Sequence, residues 1–319
     1  MIRYWVEADT PLPAADRDVP GHPGLIALGA DLGPDRLVEA YTQGLFPWYS
    51  AGQPVLWWSP DPRMVVFVDE FSPSRSLRRL LARLAASDHP GPAPSVSPHT
   101  PQGAPTQDST TAPATPRWQI TLDTAFAEVM RACAAPRPGQ DGTWITPAII
   151  AAYTALHALG LAHSLEVWEA APTGTAPAAF DDDAPRPQLI AGLYGVSLGR
   201  MFFGESMFTR RPNASKCAFA TLMHLLVQHG FPMVDCQQST RHLGSLGGRD
   251  ISRAEFLARI QPLLRQPGPD WHAVARDLHW PDPSSGSVTA TATQHPPHPR
   301  PETFRETGNG QETGPGPSA

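Results

Sequence analysis

LIAGLYGVSLG (189–199), FFGESMF (202–208), NASKCAFATLMHLLVQHG (213–230) and FPMVDCQ (231–237) form the stretch on which the fold turns. The first two segments are short, apolar and rich in Leu, Ile, Val and Phe, and read as strands. From about Ala214 to His229, Ala218, Phe219, Leu222, Leu225 and Leu226 recur at helical spacing and Gly230 supplies the stop. FPMVDCQ follows as a third strand. Strand, strand, helix, strand is an α+β order. Upstream, LEVWEA (165–170) reads as another strand, separated from residue 189 by APTGTAPAAFDDDAPRPQ (171–188), which has the composition of an enlarged hairpin loop. Before it, Thr146 and Pro147 form a helix start, with Ile149, Ala152, Tyr153, Leu156 and Leu159 as the apolar stripe and Gly160 at the end.

Of the 38 prolines in the 319-residue chain, 20 fall in residues 87–116, 171–188 and 281–319, so the rest of the chain has ordinary globular composition. Residues 87–116 contain one valine and no Leu, Ile, Met or aromatic residue, too little apolar surface to offset the entropy of ordering. They are expected to be a disordered insertion, and residues 283–319 a disordered tail. Cys133, Cys217 and Cys236 show no CxxC spacing, which points to neither a disulfide framework nor a zinc site. The opening MIRYWVEADTPLP lacks a signal-peptide stretch and no run of 18 apolar residues occurs, so a cytoplasmic protein without membrane contact is expected. A net charge of −6 disfavours binding long nucleic acid by positive charge alone. Any such contact must be local.

One local candidate is SRSLRRLLARL (74–84), where Arg75, Arg78, Arg79 and Arg83 fall on one helical face and Leu77, Leu80, Leu81 and Leu84 on the other. A merely solvated face usually mixes signs. Here no acid interrupts the arginines, whose forked guanidinium suits phosphate oxygens. Several of the 9 tryptophans sit beside turn-formers, among them Trp48, Trp57, Trp58 and Trp144, where an indole can stack on a base or simply pack in a core. Glu205 is the one acid in FFGESMF. A carboxylate among aromatics needs a partner, which is either Arg210 or Arg211 downstream or a cationic ligand. Asp235 and Gln237, two apart on a strand, point to one face, where a carboxylate beside an amide can orient an amine and help to remove its proton. The histidines show no metal-ligand spacing. No GxxxxGK[ST] or GxGxxG motif occurs and there is no GxSxG elbow, since GVSLG (195–199) lies within a run read as a strand, so no cofactor is implied.

GLIALGADLGPDRLVEAYTQGLFPWYS (24–50), LWWSPDPRMVVF (56–67), SRSLRR (74–79), GTWITPAIIAAYTALHALGLAHSLEVW (142–168), GLYGVSLGRMFFGESMF (192–208), NASK (213–216) and DCQ (235–237) with the HLGSLGGRDISRAEFL that follows resemble the bacterial leucyl/phenylalanyl-tRNA–protein transferases. The likeness runs in order over about residues 20–260. It implies an enzyme that moves Leu or Phe from charged tRNA to the N-terminal Arg or Lys of an acceptor protein, marking that protein for N-degron proteolysis. The implied fold is a small N-terminal α+β domain (1–62) followed by an acetyltransferase-like (GNAT) domain (63–282), in a monomer. By the same resemblance, Trp48 and Trp144 hold the terminal adenosine of the tRNA and Arg75 and Arg79 its acceptor end. Leu193 and Met207 line the aminoacyl pocket, Glu205 recognises the acceptor, and Asp235 and Gln237 are the catalytic pair.

The chemistry agrees with the motifs. An aminoacyl ester is already activated, so transfer to an amine runs without ATP, and holding ester and amine in line can supply several kcal/mol. The α-amine, with a pKa of about 8, must lose a proton before attack. An amide barely binds protons, which makes Asp235 the expected acceptor and Gln237 the group that aims the amine, whereas the family resemblance gives Gln237 the leading role. An acyl-CoA acetyltransferase on the same fold would need a glycine-rich turn before the helix at 214, where the chain reads TRRPNASK. A non-catalytic tRNA-binding adaptor would leave Glu205, Asp235 and Gln237 unexplained.

Overall fold

The computed structural model describes residues 4–88, 117–136, 142–170 and 186–283. The expected insertion at 87–116, hairpin loop at 171–188 and tail at 283–319 lie outside the described residues, apart from 87–88, 186–188 and 283. Residues 1–288 form one unit.

A four-stranded sheet is built from β1 (Trp5–Val6), β2 (Leu25–Gly29), β3 (Phe46–Pro47) and β4 (Leu56–Trp58), in the order β1-β2-β4-β3, with helix α1 (Pro34–Thr42) between β2 and β3. The chain then enters a seven-stranded sheet with β5 (Arg63–Phe67). Its other strands are β6 (Trp118–Leu122), β7 (Ala162–Glu169), β8 (Gln188–Leu198), β9 (Met201–Thr209), β10 (Met233–Gln237) and β11 (Arg249–Ile251), in the order β11-β5-β10-β9-β8-β7-β6. The helices between and after them are α2 (Arg75–Asp88), α3 (Phe126–Ala134), α4 (Pro147–Ala158), α5 (Ala214–Gln228), α6 (Arg241–Ser245), α7 (Arg253–Leu264) and α8 (Trp271–Arg276). Helix α2 runs to Asp88 and so takes in the first two residues of the expected insertion.

Alternation along the strands decides the layers. Phe202 and Phe203 are both buried, yet Phe203 joins the core formed with α1, α3, α4 and α7, and Phe202 the core formed with α2, α5 and α8. Val65 and Val66 divide in the same way. Both faces of the large sheet are therefore covered, which is why its strands read as continuous apolar runs. Local signals start the helices where expected: the Thr146 side chain accepts from Ile149 N at 3.3 Å and Pro147 fills the first turn of α4.

Every strand pairing in the large sheet is antiparallel except that of β9 with β10, which α5 connects. This parallel register spans only Val234 opposite Phe202 and Asp235 opposite Phe203. Beyond it the two strands part, because each carries an extra residue. On β9, Tyr194 faces Ser206 and Gly195 faces Gly204, leaving Glu205 as the bulge. On β10, Asp235 faces Val65 and Gln237 faces Met64, leaving Cys236 as the bulge, and Gln237 takes a left-handed φ of 58°. Bulges of this kind re-aim side chains. Here they open a fork with Glu205 on one prong and Gln237 on the other.

Candidate active site

The buried faces of α1 and α4 each bring a tyrosine to the fork. Tyr41 follows Leu37 by one turn on α1, and Tyr153 shares a face with Ile149 and Leu156 on α4. The two hydroxyls share a short hydrogen bond, Tyr41 Oη lies 2.7 Å from Glu205 Oε1, and Tyr153 Oη lies 3.1 Å from Glu205 Oε2. Gln237 Nε2 donates to the same Oε1 at 3.3 Å. The Glu205 carboxyl is pushed up to about 7, chiefly by burial and further by the charge of Asp235, against the lowering effect of the tyrosine hydrogen bonds and Arg63. Burial also raises both tyrosines well above the ordinary phenol value. Arg210 and Arg211, the sequence candidates for pairing Glu205, are elsewhere. Arg211 pairs with Glu169 at 2.7 Å, and Arg210 donates to Leu189 O and lies over the Phe208 ring. Four residues of strand to Thr209 carry the chain on the order of 13 Å from Glu205 before Arg210 and Arg211.

Asp235, the expected proton acceptor, lies in the interior of the sheet. It is fully buried, and both its oxygens accept from one guanidinium, Arg63 Nε at 2.8 Å and Nη2 at 2.7 Å. Oδ1 also accepts from Gln237 N at 3.0 Å, which holds the left-handed turn at Gln237. Arg63 is itself fully buried, sits 4.9 Å from the Phe46 ring centroid and 4.4 Å from that of Phe256, and donates to Gly44 O. The i, i+2 spacing does bring Asp235 and Gln237 together. It cannot reveal that Asp235 is consumed by an ion pair.

Leu193 and Met207 are direct cross-strand neighbours on β8 and β9, on the α5 side of the sheet with Phe202 and Val234. Glu205 and the tyrosines are on the other side of the sheet, which α1 and α4 cover. Trp48 is 37% exposed, its ring 5.8 Å from that of Trp58, whose Nε1 donates to Trp48 O. The next residue, Tyr49, is close enough to Tyr153 to act on it electrostatically. Trp144 is half-buried two residues before the Thr146 cap of α4. Arg75, Arg78, Arg79 and Arg83 are all exposed on α2, and none pairs with an acid among the described residues. A shallow depression lined by Asp88, Gln119, Thr121, Arg276 and His279 lies at the β6 edge and contains none of these residues.

Sequence reasoning assigned no role to Tyr41, Tyr153 or Arg63. Arg63 did leave a signal, a lone charge at the head of the apolar run MVVF. The tyrosines left none, since each sits at a core position of its helix. Among the described residues no cluster of His, Cys, Asp and Glu could hold a metal ion, and no helix is long and apolar enough to cross a membrane.

The family model "Leucyl/phenylalanyl-tRNA protein transferase" matches residues 109–261, and the model of that family's N-terminal domain matches residues 30–61. Proteins named leucyl/phenylalanyl-tRNA–protein transferase are similar over most of the chain. That of Bordetella avium is 47% identical over 84% of this chain and 91% of its own. That of Bordetella bronchiseptica is 44% identical over 88% and 97%, and that of Burkholderia ambifaria 46% over 86% and 92%. The crystal structure of FemX aligns with a TM-score of 0.36 at 14% identity over 71% of each chain, too slight a likeness to bear on the function. With a fork that gathers carboxyl, amide and phenol groups, this protein is an aminoacyltransferase working from tRNA to protein. It belongs to the leucyl/phenylalanyl-tRNA–protein transferase family.

Proposed function

We propose that the enzyme moves leucine or phenylalanine from Leu-tRNA or Phe-tRNA to the N-terminal Arg or Lys of a protein, as a cytoplasmic monomer acting in N-degron proteolysis. The observation that carries this reading is the fork between β9 and β10. It has an apolar side at Leu193 and Met207 suited to the aminoacyl side chain and a carboxyl at Glu205 suited to a cationic acceptor. The division into an N-terminal domain (1–62) and an acetyltransferase-like (GNAT) catalytic domain (63–282) is part of the proposal. Support for it comes from the passage of the chain from one sheet to the other between β4 and β5, and from the parallel pair that α5 connects.

In this scheme Trp48 and Trp144 take the terminal adenosine, and the unpaired arginines of α2 take the phosphates of the acceptor stem. Asp235 and Gln237 serve the acceptor amine, Asp235 as the residue that positions Gln237. The test is to mix the protein with radiolabelled Leu-tRNA and peptides beginning with Arg or Ala, without ATP. Label moves to the Arg peptide alone if the reading is right, and no transfer to either peptide overturns it.

Arg75→Ala with Arg79→Ala is expected to weaken binding of charged tRNA and to flatten its dependence on salt, by about 1 in the log–log slope for each phosphate no longer neutralised. Fluorescence titration at several salt concentrations measures this. An unchanged slope would assign the phosphates to other residues.

A further inference from the structure

Removal of a proton from the acceptor amine requires a basic atom that the amine can reach. Asp235 is 0% exposed and its two oxygens already receive three N–H donors, two from Arg63 and one from Gln237. Gln237 has only an amide. Glu205 remains: it lies at the fork, is less buried as a residue than Asp235, and its hydrogen bonds come from Tyr41, Tyr153 and the Gln237 side chain.

The arrangement around Glu205 has room for one more proton. Tyr41, Tyr153 and Glu205 make a closed ring of three O···O contacts. When the carboxyl is ionised the ring holds only the two phenol protons, so one contact has no hydrogen. A proton added to Glu205 completes the cycle, each of the three side chains donating to the next. The charged and titratable groups that act on Glu205 from the packed elements are Tyr41 on α1, Tyr153 on α4, Tyr194 on β8, Asp235 on β10 and Arg63 on β5. Burial, the largest cause, together with these groups leaves its carboxyl at about 7, about a unit below the roughly 8 of an α-amine, where proton transfer between the two is nearly balanced.

Resting on the transferase reading above, we infer that Glu205 is the catalytic base that takes the proton of the acceptor α-ammonium, while Arg63 and Asp235 act only to position Gln237. One proton passes from the ammonium to Glu205. The freed lone pair attacks the ester carbonyl carbon, the C–N bond forms, and the C–O bond to the ribose breaks. The second proton of the nitrogen goes to the departing ribose oxygen, and Glu205 releases its proton to water. Below about pH 7 Glu205 is protonated and cannot accept, so kcat/KM for the acceptor falls as pH drops through that value.

Single-turnover transfer from Leu-tRNA tests this with two nucleophiles, an Arg-starting peptide and methoxyamine, which is unprotonated at neutral pH and needs no base. Glu205→Gln keeps the shape and the contacts with the tyrosines. It should slow transfer to the peptide by roughly 10²- to 10⁴-fold at pH 7. The defect should shrink toward pH 9, and transfer to methoxyamine should stay within a few-fold of the parent. Equal slowing with both nucleophiles, or a defect constant from pH 7 to 9, overturns the assignment and leaves Glu205 an orienting group. Absence of transfer by the parent enzyme to either nucleophile would instead count against the transferase reading itself.

Discussion

Asp235→Asn is expected to destabilise the fold by about 3–5 kcal/mol, because it leaves the Arg63 guanidinium charged, fully buried and without its counter-ion. At roughly 2–4 °C per kcal/mol for a domain of this size, the thermal midpoint should fall by about 6–20 °C. The pair joins β5 to β10 and, through Gly44 O and the Phe46 ring, the small sheet to the large one. The charge-free double replacement Arg63→Met with Asp235→Leu should regain most of the stability, since a buried pair is often close to neutral against an apolar substitute. It should not regain activity, because Gln237 N loses the acceptor that fixes its left-handed turn. If Asp235 only positions Gln237, as inferred above, the activity lost in Asp235→Asn should be the same fraction at pH 7 and pH 9. A midpoint within about 2 °C of the parent, or a defect that shrinks with pH, would restore Asp235 as a candidate proton acceptor.

A second large effect, on tRNA binding, is expected at the tryptophans. Stacking on a base contributes about 1–3 kcal/mol, so Trp48→Ala and Trp144→Ala should each weaken binding of charged tRNA by roughly 5- to 150-fold. Phe at either position should keep much of the affinity, because it preserves an aromatic face. Trp48, at 37% exposed, should lose affinity with almost no change in thermal midpoint. Trp144 is half-buried against the core, so its unfolding curve must be recorded beside its binding curve. Folded variants of both that bind charged tRNA normally would make these side chains purely structural.

Much of the fold was legible because the signals for it are local. The apolar stripe and cap of α4, the stripe and glycine stop of α5, and the runs that become β7 to β10 each depend on spacing within some fifteen residues. The cationic face of α2 is local too, and its arginines lie in solvent as the spacing predicts. The bulges were not legible. Gln237 at φ 58° and the extra residue at Glu205 follow from how two strands of unequal residue count are matched across a sheet, a property of pairs of strands.

The sequence by itself determined the order of elements from α4 to β10, the cationic and apolar faces of α2 and, through its ordered motifs, the family. It also placed Glu205, Asp235 and Gln237 among the candidates by residue type. Only the tertiary structure decided what each of them has to work with. Arg63 and Asp235 are 172 positions apart, Tyr41 and Glu205 164, and Tyr41 and Tyr153 112. The basicity of a carboxylate depends on burial and on the donors within a few ångströms of it. Those donors arrive from helices and strands that only packing brings together, so two acids that look alike in sequence come to differ: Asp235 is held by the Arg63 guanidinium, and Glu205 by two phenols and an amide.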